Sequence, residues 1–155
     1  MSILKRLIPK SSTLTTYQIG LLVARTHRIL KEYTDDALVI HNITSVDWAI
    51  LGLLHDTLPD GLRLGDLSHT LGVEAPFISV RVERLKKRSL VNVVKNAQDK
   101  RERFAMITTA GSQLIISVEP TLRATSRTWL KGVTAIQVLG FIRVMQQVVR
   151  NNDKN

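Results

Sequence analysis

The order of breaks between Leu64 and Gly111 constrains this chain more than any other feature. Asp66 to Leu71 reads as a short helix that stops at Gly72, where a left-handed C-cap favours glycine. Pro76 then opens a second helix in the turn where a missing amide hydrogen costs nothing. On that helix Ile78, Val82 and Leu85 share one side and are expected to be buried. Leu90 to Val94 and Phe104 to Ile107, rich in β-branched and apolar residues, bracket the polar turn Asn96 to Arg101 in the pattern of a hairpin. The stretch is therefore helix, tight turn, helix, strand pair, and Leu62 to Leu64 is long enough for one more minimal strand.

Charge is concentrated in the same place. Between Ala75 and Gly111 nine basic residues meet Glu83, Asp99 and Glu102, so nine minus three gives +6 of the chain's formal +9. A local basic field of this kind attracts a polyanion, and a helix-turn-helix directs attention to duplex DNA. Single-strand and RNA platforms rely on exposed aromatic rings for stacking. The chain has seven Phe, Trp and Tyr residues in all, most at core-like positions.

With 155 residues the chain can bury a core as one domain, or as a small domain with an attached oligomerisation element. It has no cysteine, which removes disulfides, thiolate metal sites and cysteine nucleophiles. Lys5, Arg6 and Pro9 interrupt the N-terminal segment before a signal-peptide core can form. The apolar run Ala49 to Leu54 is far too short to span a bilayer. A cytoplasmic protein without membrane contact is expected.

Outside the central stretch, Ile19, Leu22, Thr26, Ile29 and Tyr33 alternate spacings of three and four on a helix from Leu14 to Leu38. That narrow seam suits a partner helix or packing within the same domain. Thr44 and Asp47 form an N-cap pattern before Val46, Ile50, Leu53 and Leu54, and Pro59-Asp60-Gly61 ends that helix. Thr108 starts another, apolar at Ile115, Val118, Leu122 and Trp129, in which Pro120 is expected to cause a bend. Thr134 to Gln137 is a capping-box pattern leading into Val138, Ile142, Met145 and Val149. Three apolar seams at the two ends exceed what one small lobe can cover, so a homodimer is expected.

These residues resemble the multiple-antibiotic-resistance regulator (MarR) family. The resemblance lies in Leu67-Ser68-His69-Thr70-Leu71-Gly72-Val73, Pro76, Ser79, Glu83-Arg84-Leu85, Leu90-Val91, Asp99-Lys100-Arg101 and Thr108-Thr109-Ala110-Gly111. It covers Thr44 to Gly111; the flanking helices match in kind only. It implies a mainly α (α+β) winged helix-turn-helix, with an arm and dimerisation helix over 1–40, a DNA-binding lobe over 44–111 and C-terminal dimerisation helices over 112–150. It further implies a homodimer on a pseudo-palindromic operator, often a repressor released by a small aromatic or phenolic effector.

The second helix of such a motif offers its N-terminal half to base edges in the major groove. Here that face holds Ala75, Phe77, Ser79 and Val80, with Arg81 and Arg84 nearer the sugar-phosphate backbone. The family often has lysine or glutamine at the place of Ala75 and arginine at that of Val80, whereas this chain carries Arg81, about 100° further round the helix. Phe77, Ala75 and Val80 suit thymine methyl groups, and an AT-leaning operator is expected; packing alone also accounts for Phe77 and Val80. The resemblance places Arg101 in the minor groove with Asp99 orienting it. Lys86, Lys87, Arg88, Lys95, Lys100 and Arg103 are expected at phosphates.

The resemblance implies an effector crevice where the dimerisation helices meet the lobe, for which Tyr17, His27, Trp48 and Arg123 are candidates, each equally explained as core or surface. The four histidines lack metal-site spacing, and Ser2 to Lys5 lacks the companions of a Ser-x-x-Lys site. No catalytic residue, metal or cofactor is expected. Two alternatives remain open from sequence: an activator or anti-silencer using the same DNA contacts, and a winged helix that binds protein or RNA.

Overall fold

The polypeptide leaves its first long helix, α1 (Thr16–Leu38), through a 3-10 turn at Val39–His41 that ends on Asn42 in the left-handed region. The computed structural model describes residues 16–95 and 102–152. Helix α2 (Ser45–Asp56) begins on a complete capping box. The Thr44 amide donates to the Asp47 carboxylate at 3.0 Å, and the Asp47 amide donates to Thr44 Oγ1 at 3.2 Å. Two otherwise orphaned amide hydrogens are satisfied reciprocally. Asp35, near the end of α1, accepts a 2.7 Å hydrogen bond from the Ser45 amide, so both helices converge on one junction.

The lobe continues with β1 (Leu62–Arg63), α3 (Leu64–Leu71), α4 (Ala75–Lys87), β2 (Val91–Lys95) and β3 (Arg103–Ile107). Leu64, expected in the strand, instead starts the helix and is buried in its first turn. Gly72 caps α3 with φ 62°, as its position predicts. The antiparallel sheet has the order β1-β3-β2, pairing Leu62 with Ala105 and Val91 with Ile107. Ile50, Leu51, Leu54, Leu67, Ile78, Val82, Leu85, Val91 and Ala105 close the core beneath the two helices. Full burial of each large aliphatic side chain stabilises the lobe by about 1.5–3 kcal/mol, which is why the spacing of Ile78, Val82 and Leu85 dictates how α4 is set down.

Helix α5 (Thr109–Trp129) starts from Thr108, whose amide donates to Leu90 O at 3.1 Å and whose hydroxyl accepts from the Gly111 amide at 3.0 Å. A Cβ on Gly111 would lie 2.2 Å from Leu90 O, so the Thr-x-x-Gly spacing lets the new helix abut the strand. Helical structure continues through Pro120. Leu38, Ile43 and Val118 form a second small core that joins α1 to α5, with Trp48, Leu114 and Leu122 against it.

Helix α6 (Ala135–Asn152) contrasts with all of this. It is capped, with Thr134 and Gln137 bonded reciprocally, yet it has no buried residue. Ile136, Leu139, Phe141, Ile142, Val144, Val148 and Val149 are exposed, as are Ile19, Leu22, Ile29 and Tyr33 on α1. The seam on α1 is therefore not covered within the chain. Among the described residues no single helix is long and apolar enough to cross a membrane.

Candidate nucleic-acid interface

Helix α4 has three sides with different tasks. Ile78, Val82 and Leu85 point into the core. Phe77, Val80, Arg84 and Lys87, spaced three, four and three, form an outward stripe, with Phe77 39% and Val80 70% exposed. Ala75 is exposed at the helix start, and Lys86, also exposed, lies 3.9 Å from Glu83. Exposure of an aromatic and a β-branched residue on the same stripe as two cations gives a face suited to methyl groups and phosphates together.

The flanks of that stripe are tied to other elements. On the wing side, Arg103 Nη2 donates to Ser79 Oγ at 3.1 Å. A groove of about 650 Å3 runs along the outward face of α4 from Ser79 and Arg103 past Val80, Glu83, Arg84 and Lys87 to Arg88. The register sets Lys95 opposite Arg103 at the end of the hairpin nearest the segment that connects its strands. Like charges facing each other across strands are unfavourable, and a polyanion would relieve that repulsion. Arg63 anchors the wing base, pairing with Glu102 at 2.8 Å and lying over the Phe104 ring at 5.5 Å. The sequence offered no sign of this anchor, since Arg63 stands far from both partners along the chain.

On the other flank two arginines have partners within the protein. Arg81 Nη1 lies 3.8 Å from Asp47 Oδ1, and its guanidinium sits 5.1 Å from the Phe77 ring centre. Arg88 donates to the carbonyl oxygens of His41 and Asn42. Both hold α4 against the junction of α1 and α2. The physical reason is that each lies a quarter-turn or so from the outward stripe, within reach of internal acceptors that a guanidinium can satisfy. Asp99, Lys100 and Arg101 lie outside the described residues.

The junction also sets the acidity of a carboxylate. Burial raises the Asp35 pKa, but hydrogen bonds from Lys31 and Ser45 outweigh it and hold the group below its ordinary value of 3.8. Among the described residues no three His, Asp or Glu side chains gather as a metal site would require.

Of the effector candidates, Trp48 lines a cleft of about 480 Å3 between α2, α3 and α5, together with Leu53, Thr70, Leu71, Ile115 and Glu119. Arg123 lines an adjoining groove on α5 that shares Ile115 and Glu119, and it pairs with Glu119 at 2.8 Å. Tyr17 and His27 are exposed on α1 and line neither.

No protein-family model matches the sequence. The chain is 29% identical over 90 residues to the transcriptional activatory protein BadR of Rhodopseudomonas palustris, a match covering 57% of this chain and 51% of that protein. It thus spans about half the length of that curated relative. Among solved structures, a MarR-family transcriptional regulator from Rhodococcus sp. RHA1 superposes with a TM-score of 0.81 at 20% identity, covering 90% of this chain and 96% of that one. CouR from Rhodococcus jostii RHA1, bound to p-coumaroyl-CoA, gives 0.78 at 20% identity over 84% and 91% of the two chains. The S. aureus MepR–DNA complex gives 0.70 at 19% identity over 90% and 99%. The chain has the winged helix-turn-helix fold of the MarR-family regulators.

Proposed function

We propose that this protein is a transcriptional regulator of the MarR type that binds a pseudo-palindromic duplex operator as a homodimer. The observation that carries the proposal is the outward stripe of α4, where Phe77, Val80, Arg84 and Lys87 stand exposed beside a wing joined to the helix through Arg103 and Ser79. Phe77, Ala75, Ser79 and Val80 meet bases and Arg84, Lys86, Lys87, Lys95 and Arg103 meet phosphates. Asp99, Lys100 and Arg101 extend the wing contact. Arg81 and Arg88 are left out of the contact set because their guanidinium groups are engaged within the protein. The DNA-bound state of MepR, which shares the fold, supports DNA as the partner.

Helices α1, α5 and α6 bring two copies together. The uncovered apolar residues of α6 and α1 support this, because a face of that size is stable in water when another apolar surface covers it. Two recognition helices would then lie about 34 Å apart, one turn of duplex. Binding of duplex pools by fluorescence anisotropy across a salt series tests the whole proposal. Affinity should fall steeply, with a log–log slope of about −0.9 per neutralised phosphate. A flat response would remove duplex DNA as the partner.

For regulation, repression released by a small aromatic or phenolic effector fits the cleft at Trp48, and CouR bound to p-coumaroyl-CoA supports an aromatic ligand in a protein of this fold. Quenching of Trp48 fluorescence by phenolic carboxylates, lost in Trp48→Phe, is the expected readout. The second reading is activation through the same DNA contacts, favoured by the partial sequence match to the activatory protein BadR. Reporter output from the gene's own upstream region, with and without the protein, separates them. No catalytic residue or cofactor is assigned.

A further inference from the structure

Asp47 is fully buried, and its two carboxylate oxygens do different work. Oδ2 closes the α2 cap through the Thr44 amide and hydroxyl, each at 3.0 Å. Oδ1 has no hydrogen-bond partner, and Arg81 Nη1 at 3.8 Å is the cation paired with it. A buried carboxylate oxygen left without a countercharge is costly, so Asp47 draws the arginine inward. The same guanidinium lies over the Phe77 ring, one helical turn earlier on α4, at a distance where a cation and a ring face attract. The side chain of Arg81 is only 25% exposed. It is thus held from one side by the start of α2 and presses from the other on the aromatic residue of the outward stripe.

We infer that Arg81 is a positioning residue for base readout, locked by Asp47 so that it fixes the orientation in which Phe77 is offered to the DNA. The inference rests on the DNA-binding reading given above. In it, Arg81 touches neither base nor phosphate. It contributes sequence discrimination through Phe77, and Asp47 contributes through Arg81. The pair also ties the recognition helix to the α1–α2 junction, where Asp35 holds the Ser45 amide.

The test uses the full chain. A duplex selected by the wild-type protein from a randomised pool is compared with a scrambled duplex of equal composition. Arg81→Leu is expected to lower the ratio of the two affinities by about tenfold, the scale of one base contact, while scrambled-duplex affinity and its salt slope stay at wild-type values. Arg81→Lys, which keeps the charge but not the plane, should fall between the two and serves if Arg81→Leu does not fold. Asp47→Asn retains a cap acceptor, and Asp47→Asn combined with Arg81→Leu should lose no more discrimination than Arg81→Leu alone. An unchanged ratio in both Arg81 variants overturns the inference, as does an additive loss in the double variant. Parallel weakening on both duplexes with a shallower salt slope makes Arg81 a phosphate contact, which also overturns it. A wild-type protein that selects no duplex removes the DNA reading and this inference with it.

Discussion

The winged lobe and the terminal helices are built from similar proportions of apolar residues, yet they use them in opposite ways. In the lobe, Ile50, Leu51, Leu54, Leu67, Ile78 and Leu85 are completely removed from solvent. In α6, Ile136, Leu139, Phe141 and Val149 are exposed, with Ile136 at 82%. The lobe has two helices and a sheet to enclose its apolar side chains, whereas α6 has no layer opposite it. The difference teaches that the lobe encloses its own apolar side chains, while α6 and the exposed seam of α1 stay uncovered within the chain.

The largest effect is expected from breaking the terminal helices without touching the lobe. Ile142→Asp with Val149→Asp should give a monomer by analytical ultracentrifugation. Operator affinity should then fall about 10²–10⁴-fold, as two linked half-site contacts become one. The lobe should still melt cooperatively. If the variant stays dimeric, or if the lobe unfolds with it, the contrast between the two regions fails.

Leu54→Ala attacks the opposite region and should destabilise the lobe by about 2–5 kcal/mol in denaturant titration. Dimer formation at temperatures below the melt should be preserved. A loss of association as large as that in the α6 variant would mean that the regions are not separable.

The junction between them supplies smaller tests. Thr44→Ala removes one half of the α2 capping box and should cost about 0.5–2 kcal/mol, read as a lower melting temperature. Asp35→Asn examines the carboxylate that joins α1 to α2. Its folded pKa lies below 3.8, so its contribution is present at neutral pH and is lost as pH falls through that lowered value. Wild type and variant should therefore differ in melting temperature at pH 6 and converge toward pH 3. A gap that stays constant over this range would remove Asp35 from the pH dependence.

Local features were legible because their causes lie within a few residues. Thr44 with Asp47, Gly72, Pro76 and Thr134 with Gln137 each announce a helix end by satisfying or sparing a backbone group nearby. The core face of α4 was legible from periodicity, and so were the strands of the hairpin. The arginines were not equally legible. Arg84 and Arg81 look alike in a basic run, but one stands on the outward stripe and the other reaches Asp47 across the fold. Arg88 likewise finds the carbonyls of His41 and Asn42, and Arg63 finds Glu102 and Phe104.

The sequence by itself determined the order of elements, their ends, the buried side of the second helix and the basic character of the segment that follows it. These depend on spacing and backbone chemistry, which act over a turn or two of chain. Only the tertiary structure decided which cations remain outward, which are drawn to a buried carboxylate or a carbonyl, and which apolar faces stay uncovered. Those outcomes depend on acceptors and surfaces that folding brings together from distant positions, and no local pattern encodes them.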